Sequence, residues 1–318
     1  MNTQEIFGKI FDYKLNGIDS SDRIEIEKKN YDFSTNSNSE KTTFESGIKS
    51  IDVFTPLTFG GISKISGPSW CGKLVLEMEL IRNFLKTVGG KVIWLAVEER
   101  SREWQDILLE FKECNLAGEI VSVLTKANDS QEIFSEALNN TISLAEELAK
   151  NEKVLLVIDD RVLDGEIKFF PNLQNGQVLT LVSCFPEHKN SENLNFDSEI
   201  ILNGKLAKKG IYPAVDVIAS KSKVLSEAQK EVTAKVQKLF VNGNFPDFAE
   251  SETQAQRIQN FLTQFFFVAQ LYTGKPGVFV KKEEGLKDLQ ELLENGFQGL
   301  DPKEFLYKGN LESITETA

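Results

Sequence analysis

Histidine is almost missing from this chain. His188 stands alone among 318 residues, which argues against histidine-based triads and multi-histidine metal sites. Cysteine is nearly as scarce: Cys71, Cys114 and Cys184 are too few and too scattered for a disulfide framework or a zinc site. A reduced, cytoplasmic setting is the expectation. No apolar run approaches the roughly 20 residues that span a bilayer, so direct membrane insertion is not expected. The start, Met1-Asn2-Thr3-Gln4-Glu5, has neither a basic region nor an apolar core, and no signal peptide is expected. Positive charge is in deficit, with 36 basic against 48 acidic residues and a net charge of −12. That balance argues against nucleic acid or an anionic membrane as the main partner. What remains, 41% hydrophobic and 26% charged, describes a soluble globular chain with room for two domains.

Against this background one stretch organises the chain: Gly67-Pro68-Ser69-Trp70-Cys71-Gly72-Lys73-Leu74. Its spacing is the phosphate-binding G-x-x-x-x-G-K, with Leu74 where the pattern asks for Ser or Thr. Glycines let successive N–H groups face a phosphate, the following helix adds partial positive charge, and Lys73 adds a full one. The hydroxyl that would ligate Mg²⁺ is gone.

The N-terminal 45 residues or so are polar, and the pattern gives a short amphipathic helix near 6–11, one strand, then a flexible link. They form a solvated arm or an arm that docks on a neighbouring subunit. Beyond residue 44, strand-like runs at 62–65, 92–97, 120–124, 154–158, 178–185 and 199–202 alternate with helical periods at 73–88, 103–113 and 131–150. Continuous Val/Ile/Leu strands separated by helices predict a parallel sheet covered on both faces, with ligand at its carboxyl ends. Asp159, ending Val154-Leu155-Leu156-Val157-Ile158, matches a Walker B carboxylate that holds Mg²⁺, usually through water. The block Glu98-Glu99-Arg100-Ser101-Arg102-Glu103 leaves the strand before it; it either activates water or is a salt-bridged helix start. From about 228 the chain reads as helices, notably 231–240 and 254–272, with Phe265, Phe266, Phe267 and Tyr272 in the second as ordinary core aromatics. The polar tail from Pro302 is expected to fray or cap the surface.

In order along the chain, Phe44-Glu45-Ser46-Gly47-Ile48-Lys49-Ser50-Ile51-Asp52, the altered loop, the Glu98–Asp106 block, the strand to Asp159, Gly210-Ile211-Tyr212-Pro213-Ala214-Val215-Asp216 and Gln256-Arg257-Ile258-Gln259-Asn260-Phe261-Leu262 resemble the beta subunit of F-type rotary ATPases. The resemblance covers about 44–308. It implies an α/β P-loop (RecA-like) parallel sheet over 44–228, an all-helical C-terminal domain over 229–318, and residues 1–43 as an arm without a complete beta-barrel. By the same resemblance Gly67, Gly72 and Lys73 contact phosphates, and Glu99 activates water beside Arg100. Glu103 and Asp159 support the metal, and Tyr212, Phe266 and Tyr272 form an adenine-stacking pocket. ATP or ADP is the implied ligand.

Departures qualify what the family pattern implies. Leu74 removes a magnesium ligand and argues against bound Mg²⁺. Trp70 and Cys71 put bulk where the family has small residues, and Asp160-Arg161-Val162-Leu163 does not reproduce the family's arginine. Ser220-Lys221-Ser222-Lys223 resembles the alpha-subunit segment that sends an arginine finger into a neighbouring site, with Lys223 in the arginine's place; it is equally a solvated basic helix start. The reading is a non-catalytic or hydrolysis-impaired subunit of an alternating hexameric ring. A homologous catalytic F-type-like subunit, a central-shaft subunit and accessory proteins would be its partners, as in the diverged headpieces of mycoplasmas linked to gliding motility. A catalytic subunit using Glu99 with an altered metal shell, and a structural adaptor that binds no nucleotide, are the alternatives.

Overall fold

The computed structural model describes residues 6–18, 20–34, 41–98, 109, 111–171, 173–185, 188–249 and 253–315. In chain order the strands are β1 Ile10–Asp12, β2 Thr42–Phe44, β3 Leu57–Phe59, β4 Ile62–Ser66, β5 Lys91–Glu98, β6 Ile120–Lys126, β7 Val154–Asp159, β8 Val178–Cys184, β9 Ser198–Ile201 and β10 Lys221–Ser222. Among the described residues the numbered helices are α1 Lys49–Phe54, α2 Lys73–Thr87, α3 Gln131–Leu148, α4 Gly204–Lys208, α5 Glu227–Asn242, α6 Thr253–Phe261, α7 Gln270–Thr273, α8 Lys282–Asn295 and α9 Glu312–Thr315, and residues 111–113 are helical as well. Two compact units interleave along the chain. The first takes Met1–Thr43, Thr58–Lys64 and Leu80–Phe196; the second takes Phe44–Leu57, Ile65–Glu79 and Asp197–Ala318.

In the first unit a parallel sheet runs in the order β1-β6-β5-β7-β8. Its register sets Ile10 opposite Ser122, Val92 opposite Ile120, Leu95 opposite Ile158 and Asp159 opposite Ser183. The β5 and β7 cores are buried along their length, as expected for strands covered on both faces. Helix α3 lays Leu138, Ile142, Ala145 and Leu148 on one buried stripe, at the three- and four-residue spacing of an amphipathic helix.

The N-terminal segment departs from expectation. Residues 6–11 are not helical; Ile10–Asp12 is an edge strand parallel to β6. Ile6, Phe11, Leu15 and Ile24 are buried in the unit's core. The segment then crosses α3, where Lys29 Nζ and Tyr31 Oη both reach the Glu146 carboxylate, at 2.9 and 2.7 Å. The Phe33 carbonyl accepts from the Phe169 N–H at 3.0 Å. Four buried apolar side chains and an edge ladder outweigh the polar composition that suggested a solvated arm.

In the second unit β9 and β10 pair antiparallel. The N–H of Leu202 donates to the carbonyl of Ser66 at 2.7 Å. Ser226 and Gln229 form a reciprocal capping box that starts α5, and α5 buries Val232, Val236 and Phe240. Two expectations are corrected here. The helix expected over 254–272 stops at Phe261, so Phe265 and Phe266 are not helical. Their neighbours find other partners: Gln264 N–H donates to Tyr212 O and Val278 N–H to Phe265 O, each at 3.0 Å. The Gln264 amide also donates to Gly47 O at 2.6 Å and accepts from Lys49 N–H at 3.2 Å. Backbone groups satisfied this way have no reason to continue a helix. The tail does not fray over its described part, because Phe305, Leu311 and Ile314 are buried.

Candidate nucleotide site

The loop after β4 belongs to the second unit. Gly67 has φ +156°, and a Cβ there would lie 2.6 Å from the Leu202 Cβ, so no larger residue fits. Ser69–Cys71 makes one 3-10 turn, and Gly72 takes the left-handed conformation, φ +80°, that a side chain disfavours. Lys73 follows at the first position of α2 and is buried. Leu74 is half-buried and carries no oxygen for a cation.

Trp70 turns aside. Its ring lies against Gly204, where an added Cβ would meet it at 2.7 Å, and under Lys208 Nζ at 5.3 Å from the ring centroid. It remains 53% exposed. Cys71 is buried, and burial pushes its thiol pKa up, the signature of an inert rather than a reactive thiol.

Beside the loop, still within the second unit, is a cavity of about 280 Å³. Its walls include Trp70, Gly72, Tyr212, Phe265, Phe266 and Tyr307. The Tyr212 ring reaches Gly72, where a Cβ would meet it at 3.5 Å. The Glu79 carboxylate on α2 accepts the Val268 N–H at 3.1 Å and ties the 266–268 stretch down. Tyr272 is not part of this lining. It is 72% exposed on α7, while Ala269 and Thr273 line the cavity. Tyr307 was missed because it lies in a polar tail. The signals there were Pro302 behind the helix-capping Asp301 and the apolar spacing of Phe305, Leu311 and Ile314.

The first unit holds Asp159 at the end of β7. Both its oxygens are engaged by Arg161: Nε and the backbone N–H on Oδ1 at 2.9 and 3.0 Å, and NH2 on Oδ2 at 2.5 Å. Arg161 NH2 also donates to Val97 O at 2.9 Å, and its guanidinium lies 4.9 Å from the Phe185 ring centroid. With side chains 8% and 14% exposed, this is a buried bidentate ion pair. Glu99, Arg100 and Glu103 lie outside the described residues. Lys223 is an exposed residue just after β10, its backbone N–H donating to Asp197 O at 2.8 Å.

A parallel α/β sheet, the glycine-shaped loop opening a helix and the flat-walled cavity define a P-loop nucleotide-binding fold. Residues 47–163 match the family model described as the ATP synthase alpha/beta family, nucleotide-binding domain. The matched stretch runs from near the start of the second unit's first segment past Asp159 and is similar to that nucleotide-binding domain.

Proposed function

We propose that this chain is a nucleotide-binding subunit of an F-type-like ATPase ring that contributes little hydrolysis of its own. Gly67, Gly72 and Lys73 cradle the phosphates, and Tyr212 and Phe266 hold the base. A homologous catalytic subunit in the same alternating ring performs turnover, around a central shaft. Lys223 serves as a weakened counterpart of an arginine finger, offering charge without a planar fork.

The observation that carries the reading is the Asp159–Arg161 pair. The carboxylate that the resemblance places in magnesium's second shell, acting through water, gives both oxygens to a guanidinium. Leu74 offers hydrocarbon where the ligating hydroxyl is expected. Mg²⁺ demands near-octahedral oxygen ligation, and these two positions do not fit it. Phosphoryl transfer rests on charge stabilisation at the transferring group, so a site without that metal binds rather than turns over. The flat aromatic walls of the cavity favour nucleotide binding over a purely structural adaptor.

Equilibrium titration of the full chain with trinitrophenyl-ATP, in Mg²⁺ and in EDTA, tests this. Affinities within about threefold of each other in the two media are expected, with a tenfold or greater loss in Lys73→Ala (a factor of ten is about 1.4 kcal/mol). Absence of binding overturns the nucleotide reading. Steep Mg²⁺ dependence, with turnover in the assembled complex that collapses in Glu99→Gln, makes the chain catalytic instead.

A further inference from the structure

The resemblance assigns an aromatic wall of the base pocket to Tyr272, and that residue stands in solvent, 72% exposed. Another aromatic lines the cavity. Tyr307 comes from the segment after Pro302, and its ring stacks on Phe265 at 4.4 Å between centroids and 17° between planes. Its hydroxyl donates to the carbonyl of Gly210, two residues before Tyr212. Its backbone N–H donates to Thr263 Oγ1 at 2.5 Å. Its φ of +57° is a conformation that a bulky residue keeps only where the surroundings over-determine it. Here they do: the ring, the hydroxyl and the backbone N–H are each held separately. The segment is anchored as well. Arg257 donates to Leu300 O at 2.9 and 2.7 Å, and Asn260 Nδ2 to Pro302 O at 2.7 Å.

We propose that Tyr307 is a base-binding residue of the nucleotide site, a pre-positioned flat wall against which the base of a nucleoside triphosphate packs. The inference rests on the proposed nucleotide-binding function. Tyr307 acts on the base and not on the phosphates, which belong to the loop at Gly67–Lys73. Its hydroxyl is spent on Gly210, so the ring contributes a face rather than a hydrogen bond, and stacking on an aromatic face tolerates different bases.

The experiment displaces trinitrophenyl-ATP from the full chain with ATP and, separately, with inorganic tripolyphosphate, which has no base. In Tyr307→Ala, ATP competition is expected to weaken tenfold or more while tripolyphosphate stays within twofold. Tyr307→Leu keeps apolar bulk but not a planar face and is expected to show the same split, which covers the case in which the alanine variant unfolds. Tyr307→Phe keeps the ring, loses the Gly210 anchor and should fall in between. Tyr272→Ala should leave both competitors within twofold. The inference is overturned if wild-type binding is normal and both Tyr307→Ala and Tyr307→Leu leave ATP unchanged. It is equally overturned if they weaken tripolyphosphate as much as ATP, or if Tyr272→Ala costs as much as Tyr307→Ala. Failure of the wild-type chain to bind either competitor removes the nucleotide reading itself, and this inference with it.

Discussion

The two units bury charge in opposite ways. In the first, Asp159 is closed into a forked pair with Arg161, and both side chains are nearly enclosed. In the second, helix α1 buries Lys49 and Asp52 separately. Lys49 sets its ammonium 3.8 Å from the Phe261 ring centroid and donates to the carbonyl of Lys308. Asp52 accepts the N–H groups of Ser46 and Gly47 at 2.9 and 2.8 Å. Burial disfavours a charge, and at Asp52 the N–H donors of Ser46 and Gly47 offset that cost only in part. Desolvation drives Lys49 down to about 7, against the pull of Asp288, and drives Asp52 up to about 7. The first arrangement makes a fixed ion pair where the family resemblance predicts a metal; the second makes α1 sensitive to pH.

The contrast breaks most visibly at Arg161. Arg161→Ala leaves a buried carboxylate without its cation, and a loss of about 3–5 kcal/mol in urea unfolding is expected. The double replacement Asp159→Asn with Arg161→Gln should cost less than Arg161→Ala alone. If Arg161→Ala is neutral, the pair is not what holds the end of β7.

The α1 charges should show in a stability–pH curve. Between about pH 4 and 7 the folded state keeps the Asp52 proton that the unfolded chain has lost, so stability falls as pH rises. Between about pH 7 and 10 the unfolded chain holds a Lys49 proton that the folded state lacks, so stability rises with pH. Together they place a local minimum near pH 7, each limb with a slope of at most about 1.4 kcal/mol per pH unit. Lys49→Met should flatten the alkaline limb and Asp52→Asn the acidic one, read from urea midpoints across that range. Retention of the alkaline slope in Lys49→Met would mean that Lys49 is not its source.

The smallest effect belongs to Trp70. Its ring rests on Gly204 and forms part of the cavity wall while staying 53% exposed, so Trp70→Ala should change trinitrophenyl-ATP affinity by less than about twofold. A large gain in affinity would mean that the indole does obstruct the phosphates, and the adaptor reading would return.

Much of the sheet was legible. Val92–Val97 and Val154–Ile158 are continuous apolar runs, and a strand buried on both faces needs nothing else to be read. The glycine-lysine loop was legible for the same local reason: Gly67 and Gly72 are required by backbone angles at their own positions. Phe11 and Tyr307 were not legible: the spacing around Phe11 reads as a short helix rather than an edge strand, and Tyr307 lies in a polar tail whose apolar residues are few. The stop of α6 at Phe261 escaped too, because what ends it is Gly47 and Lys49, more than 200 residues earlier in the chain.

From the order of residues alone came the loop's spacing, the missing hydroxyl at Leu74, the carboxylate at Asp159 and the alternation of strands and helices. These depend on neighbours within a few positions. Tertiary structure alone decided that Arg161 takes up that carboxylate, that Trp70 turns aside and that Tyr307 rather than Tyr272 lines the cavity. Those outcomes depend on where a side chain finds a hydrogen-bond partner or a ring to pack on, and such partners come together only when distant segments fold.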